Sequence, residues 1–442
     1  MCSLRPSSSA AASSATPSAV PPPIAGGINN GNVSRSDQSF VATTWYAGWH
    51  ASILAPEDLA WDKYISATYA FATTTEDPTT VGNLDADNDA LLRRFVTAAH
   101  QNNASALLTI GGWTGSEFFS INVGSDANRT AFVQTMVNLV NEYSLDGLDF
   151  DWEYPGKVGD DCNIVNPNDS ANFLTFLQEL RATPEMANRT MSAAAAVVPF
   201  AGTDGNPMND VSEFAKTLDY VAIMNYDVWG TWSTSVGPNA PLNDSCAGTP
   251  QVVGSAVSAL NAWTSANFPA NQLVLGVASY GHSFNVTNAA AFATTTPAVA
   301  NGTKAIAAYP AFQGPQPKGD SLDTFSPAGV DSCGNPTAAG YSGVFNFFGL
   351  IDSGFLDATG NPTEGMGYRF DECSQTPYVY NPSTQEMVSY DNAQSFAAKG
   401  KFISDNSLLG FAMWETAGDS NNILLDSISQ AMGIEKLVSA WA

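Results

Sequence analysis

The sequence predicts an α/β fold: a (β/α)8 barrel with a small α+β subdomain inserted between strands seven and eight. Three observations predict it. Eight short β-rich runs alternate with amphipathic segments of helical length. One of those runs ends in acids spaced two residues apart. Between the last two runs the composition shifts to Gly, Pro and Asn with short aromatic stretches. The boundaries that follow are a tail over 1–40, barrel strands one to seven over 41–284, the insertion over about 285–390, and strand eight with a closing helix over 391–442.

The tail, with SSSAAASSATPSAVPPP and then GGINNGN, is too poor in apolar side chains to bury a core and reads as disordered. The eight strands are VATTWYAGW from Val41, ISATYAFAT from Ile65, ASALLTI from Ala104, LDGLDFDWE from Leu145, MSAAAAVV from Met191, LDYVAIMNY from Leu218, QLVLGVASY from Gln272 and LLGFAMW from Leu408. Between them DNDALLRRFVTAAH opens on capping acids. SDANRTAFVQTMVNLVNEYS, NDSANFLTFLQELR and QVVGSAVSALNAW repeat the i, i+3, i+4 apolar spacing of one-faced helices. SNNILLDSISQAMG supplies the closing helix. A doubly wound open sheet would accept acids at a strand end equally well, so the strand count decides for the barrel. YPAF, GVFNFFGL, GYRF and TPYVY are the short aromatic strands of the insertion.

The chemistry concentrates in Asp146-Gly-Leu-Asp-Phe-Asp-Trp-Glu-Tyr-Pro-Gly156. On a strand, Asp149, Asp151 and Glu153 share one face while Leu148, Phe150 and Trp152 share the other. The apolar face suits packing against helices, and the acidic face suits the C-terminal mouth of a parallel barrel. Like charges this close cannot all ionise freely, so at least one carboxyl is expected to keep its proton near neutral pH, as a general acid must. A hard-cation site or a solvated acidic turn is the plain alternative; Trp152, Tyr154 and Pro155 within the motif argue against the turn.

Composition narrows the partners. Charged residues make up 13% of the chain, against an average of roughly 25%, so the surface is rich in neutral polar groups. With 42 acids and 16 bases the net charge is -26, which argues against nucleic acid and anionic membranes and tolerates a neutral polymer. No stretch is apolar enough to span a membrane. Cys2, Cys162, Cys246, Cys333 and Cys373 lack CxxC spacing and only three histidines are present, so no zinc site is expected. Sequons at Asn32, Asn103, Asn128, Asn168, Asn188, Asn243, Asn285 and Asn301 fit a secreted protein. Residues 1–40 show no clear apolar core of a signal peptide; a start assigned downstream of the true one, or a non-standard export route, would reconcile the two.

The motif DGLDFDWEYPG resembles the DxxDxDxE signature of glycoside hydrolase family 18, the chitinases, with Asp146, Asp149, Asp151 and Glu153 at its acidic positions. The resemblance runs from about Val41 to the C-terminus and implies a retaining, substrate-assisted cleavage of β-1,4 bonds between N-acetylglucosamine units. Glu153 would be the acid and base, Asp151 would accept the acetamido N–H, and Asp149 would modulate the shared proton. Met224-Asn-Tyr226-Asp227 matches the family's MxYD, which implies that Tyr226 orients the acetyl carbonyl with Asp227 in support. Thr109-Ile-Gly-Gly-Trp113 resembles SxGG, with Thr109 retaining a hydroxyl able to bond an inner Asp. The family's pocket further implies Tyr46, Phe71, Trp113, Met224, Trp232, Tyr280 and Trp414 as substrate-binding residues, Trp414 as the floor beneath the cleaved sugar. For Trp232 ordinary packing is a comparable reading. Tyr280-Gly-His282 on strand seven resembles YGR with His for Arg, where a bidentate donor is lost.

The insertion resembles the family's chitinase insertion domain. Cys333 and Cys373 both lie in it and are expected to pair. Cys162 and Cys246 follow strands four and six, whose loops share one barrel face, and are expected to pair as well. No metal and no organic cofactor is implied; the expected partner is chitin or chitooligosaccharide, bound by a secreted monomer. Two rivals stand beside this reading. An endo-β-N-acetylglucosaminidase on N-glycans tends to carry Asn at the Asp151 position and to lack the insertion, and a chitin-binding lectin is expected to lose the acid that Glu153 retains.

Overall fold

The computed structural model describes residues 40–293 and 304–434. The N-terminal tract, Cys2 and the sequons at Asn32 and Asn301 lie outside them. Eight parallel strands close into a barrel: Val41–Ala47, Ser66–Ala72, Ser105–Gly111, Gly147–Asp151, Thr190–Ala195, Tyr220–Ile223, Leu273–Ala278 and Gly410–Trp414. Each pairs with its neighbours in sequence order, and strand one closes on strand eight through Val41–Gly410 to Thr44–Met413. All eight expected strands are present in the expected order.

Period two sorts the side chains. Leu148 and Phe150 of strand four, with Trp152 just beyond it, pack outward among Phe119, Phe173 and Phe176 of the surrounding helices. Burial of one such aromatic contributes about 1.5 to 3 kcal/mol. The inner face of the barrel is filled by a separate cluster that includes Trp45, Ala194, Tyr220 and Ala412. Side-chain caps set the helix starts. Asp85 accepts from Asn88 N–H at the start of Ala86–Gln101, Ser125 from Asn128 N–H at Asp126–Tyr143, and Ser255 with Ser258 makes a capping box at Ala256–Ser265. Helices Asp169–Arg181 and Ile423–Met432 also form as read. Helix Ala393–Asp405 is an addition, and spacing hides it because Ser395, Lys399 and Gly400 are buried on its inner face. Strand one is followed only by short 3-10 turns, Gly48–His50 and Pro56–Asp58. None of the described helices is long and apolar enough to cross a membrane.

Between strands seven and eight the chain builds a second, six-stranded sheet, ordered Val344–Asn346, Tyr280–Asn285, Glu386–Ser389, Thr376–Asn381, Gly367–Asp371 and Lys304–Ala305, with helix Phe347–Asp352 beside it. Tyr280-Gly-His282 belongs to this sheet, where the sequence places it on strand seven. Ser279 makes the break: its N–H donates to the carbonyl of Trp414 in the barrel, while its own carbonyl accepts from Phe347 N–H at the start of the helix beside the other sheet. The next residue starts an antiparallel pairing with 344–346 and 386–389.

The expected disulfide pairing is corrected. Cys162 bonds Cys333 and Cys246 bonds Cys373, at Cα separations of 5.6 and 5.7 Å. Each bridge joins a barrel loop to the inserted region instead of staying within one of them. The inserted region lies against the barrel loops, so cysteines distant in sequence become neighbours and those grouped by segment do not.

Candidate active site

The inner face of strand four carries Asp149 and Asp151, and Glu153 follows as the strand ends. Asp149 is buried and accepts three hydrogen bonds, from Trp45 Nε1 at 3.0 Å, Thr109 Oγ1 at 3.0 Å and Ser192 Oγ at 2.6 Å. Burial raises its pKa and these donors pull against the rise. The Thr109 bond is the one its retained hydroxyl predicts. Asp151 is buried with Oδ1 unpartnered. Burial, then the charges of Glu153 and Asp149, hold its carboxyl well above the usual range. Glu153 is 9% exposed. Burial pushes it to about 7, with the charge of Asp227 adding to the rise and a hydrogen bond with Tyr154 opposing it. Asp146 is set apart at the start of the strand, 2.8 Å from His100 Nε2 and bonded to Ala106 N–H.

A cleft of about 750 Å³ opens over these acids. Phe71, Gly111, Gly112, Trp113, Asp151, Glu153, Met224, Tyr226, Asp227 and Trp414 line it, with Trp45 and Trp49. Strand ends supply nearly all of them, as a parallel barrel's mouth requires. Trp414 lies 5.5 Å from Phe71 in a stacked pair and 6.1 Å from Trp45 edge-on, which makes an aromatic surface within the cleft. Gly111 and Gly112 take positive φ of 111° and 90°, and a Cβ on Gly111 would lie 2.1 Å from the Asp151 carbonyl. Side chains are therefore barred where strand three passes the acid row. Non-proline cis peptides occur at Ala70–Phe71, Glu153–Tyr154 and Trp414–Glu415.

Tyr46 is not in the cleft. It is fully buried in the outer layer, 5.4 Å from Phe95 in a stacked pair, with its hydroxyl donating to Leu54 O. Alternation along strand one turns Trp45 inward in its place. Tyr280 is buried beside Tyr226, ring centroids 6.2 Å apart, and lines a smaller adjoining cavity of about 350 Å³ together with Asp227, His282, Trp49 and Trp414. Trp232 is 64% exposed and edge-on to His282 at 5.4 Å, outside the residues that line the main cleft. His282 Nε2 lies 2.6 Å from Asp227 Oδ1, so the shorter side chain at the expected Arg position is an Asp227 partner. Asp227 itself takes φ of 54°, fixed by its N–H on Asn239 Oδ1.

Sequence reasoning missed Trp45, Trp49 and Ser192. Trp49 follows the end of strand one, the position that marks other candidates, and Ser192 is the lone hydroxyl in the alanine-rich run MSAAAAVV. Among the described residues one group has metal-ligand spacing, Cys162, Asp331 and Cys333, and its two thiols are joined in a disulfide.

The family model for glycosyl hydrolases family 18 matches residues 42–419. The chain belongs to that family. It is 47% identical to a chitinase-like effector of Moniliophthora perniciosa over 93% of this chain and 90% of the relative, and 46% identical to one of Moniliophthora roreri over 89% and 93%. A solved chitinase from Rhizomucor miehei superposes with a TM-score of 0.76 at 31% identity, over 89% of this chain and all of that one. This family 18 chain thus shares its barrel with a structurally defined chitinase.

Proposed function

We propose that the protein is a retaining chitinase that hydrolyses β-1,4 bonds between N-acetylglucosamine units with the substrate's acetamido group as nucleophile. The observation that carries the reading is Glu153, a carboxyl buried beside Asp151 in a cleft lined by Tyr226 and Trp414 and held at about 7. Such a group delivers a proton near neutral pH. Glu153 protonates the leaving oxygen while the acetamido oxygen attacks the anomeric carbon, forming an oxazolinium ion. Asp151 accepts the acetamido N–H, and its unpartnered Oδ1 is free for that bond. Asp149, held by three donors, modulates the charge of Asp151. Tyr226 orients the acetyl carbonyl next to Asp227, and Glu153 then removes the proton of the incoming water. Two disulfides and exposed sequons at Asn103, Asn168 and Asn188 support an extracellular setting.

Proton NMR during early turnover of chitotetraose tests the mechanism. The new reducing end is expected first as the β-anomer, because the centre inverts twice. In digests of partly acetylated chitosan, every new reducing end is expected to carry an N-acetyl group. Initial α-anomer, or glucosamine at those ends, would replace this mechanism with a two-carboxylate scheme. A second reading, retention of chitin fragments without turnover, draws on the name chitinase-like effector borne by the two Moniliophthora relatives. Tight binding of chitotetraose with no hydrolysis would establish it.

A further inference from the structure

The backbone that carries Glu153 is clamped from two sides. On one side Ser116, buried in the loop after strand three, shares its hydroxyl between the carbonyls of Gly112 and Asp151 and accepts from Glu153 N–H at 3.1 Å. On the other, Asn163 Nδ2 donates to the carbonyl of Glu153 at 2.6 Å. The loop 157–165 closes tightly over that carbonyl: a Cβ on Gly159 would lie 2.0 Å from it. Asn163 is buried, and its Oδ1 has no partner. An unpaired buried acceptor lowers stability, so the amide gains nothing from packing and is accounted for by the bond to Glu153.

Little else fastens this loop. Val158, Ile164 and Val165 are exposed apolar residues, so the segment buries few side chains of its own. Its anchor is Cys162, next to Asn163 in sequence, which is bonded to Cys333 in the hairpin Gly329–Val330 and Pro336–Thr337 of the inserted region. Glu117 backs the same junction: its carbonyl accepts from Ile164 N–H at 3.0 Å and its carboxylate from Ser332 Oγ at 3.2 Å. The other disulfide, Cys246–Cys373, joins the loop after strand six to a different turn of the insertion and has no hydrogen bond to residues 151–165.

We propose that Asn163 is a positioning residue for Glu153 and that the Cys162–Cys333 disulfide holds Asn163 in place, so that a surface crosslink to the inserted region aims the acid. The proposal rests on the reading of Glu153 as the general acid. The acid's carbonyl is held by one amide, which together with the Ser116 bond to its N–H fixes the direction in which the side chain leaves the backbone. That amide is set in turn by a bond to a distant part of the chain. Small displacements of a catalytic group cost one to two orders of magnitude in rate.

Chitotetraose hydrolysis and amide hydrogen exchange on the full chain test it, with three variants: Asn163→Ala, Cys162→Ser/Cys333→Ser and Cys246→Ser/Cys373→Ser. The first two are each expected to lower kcat about tenfold with KM within about twofold, because the groups facing the sugar are untouched. Combined, they are expected to cost no more than either alone. The Cys246/Cys373 variant loses thermal stability but keeps kcat. Exchange at the amides of Glu153, Tyr154 and Gly156 quickens in the first two variants and not in the third. Equal loss of kcat in both disulfide variants, multiplying effects of Asn163→Ala and the Cys162/Cys333 change, or unchanged exchange would each overturn the proposal. Absence of turnover in the unaltered protein would sink the chitinase reading alone, and exchange would still decide whether crosslink and amide hold this segment.

Discussion

At Asp391 a buried carboxylate meets the ammonium of Lys399 across 2.6 Å, with both side chains sealed from solvent. At the end of strand four three carboxylates are buried beside hydroxyls, an indole and one another, and among the described residues none of the three makes an ion pair. Burial acts alike at both places, raising Asp391 as it raises Asp149, Asp151 and Glu153. At Asp391 the cation opposes the rise, and burial in turn lowers Lys399. The mouth acids have no cation to oppose the rise, and Glu153 is carried to about 7. A buried acid given a counter-ion ties the residue just ahead of helix Ala393–Asp405 to the helix itself; buried acids left without one are, in the proposed mechanism, the source of the proton.

The largest effect expected at the mouth is on rate. Glu153→Gln keeps the shape of the side chain but cannot give up or accept the proton, and kcat on chitotetraose should fall by at least ~10³-fold. Calorimetry should find binding of the oligosaccharide preserved. Near-normal turnover would mean that the uncompensated acid is not the working one. At the other site the expected effect is on stability. Lys399→Met strands Asp391 in the interior and should cost about 3 to 5 kcal/mol. The double change Lys399→Met/Asp391→Leu should recover most of it, and kcat of the folded protein should stay unaltered in both. A single variant as stable as the double one would dissolve the contrast between the sites.

The two sites also differ in how far the sequence reveals them. The acid row is visible because period two is short-range: Asp149, Asp151 and Glu153 must share a face on any strand, and the same rule turns Leu148, Phe150 and Trp152 to the helices. The strands and most helices are legible for the same reason. Tyr46 is misplaced by sequence because strand one carries adjacent aromatics, Trp45 and Tyr46, and residue type alone does not say which faces the barrel interior. The disulfides are mispaired by sequence because four cysteines allow three connectivities, and the choice depends on how the inserted region rests on the barrel. The Lys399–Asp391 pair is invisible on the same ground. A lysine in a helix reads as solvated until the tertiary structure covers it.

The smallest effect separates the two sites by pH. The ordinary value of a glutamate is 4.5, and Glu153 in the folded chain is at about 7. Between those values the folded protein holds a proton that the unfolded chain releases, so the sign of the linkage is negative: stability contributed by protonated Glu153 is complete below about 4.5 and is lost as pH rises to about 7. Asp149 and Asp151, also raised, act in the same direction. Glu153→Gln has no proton to lose. The variant should match the unaltered protein near pH 4 and exceed it by about 1 to 2 kcal/mol at pH 8, since each tenfold change in proton affinity is worth about 1.4 kcal/mol and local relaxation absorbs part of it. Thermal unfolding of both proteins from pH 4 to pH 8 measures the difference. Parallel curves would show that ionising Glu153 costs the folded state nothing, and the mouth acids would then be as well compensated as Asp391 is by Lys399.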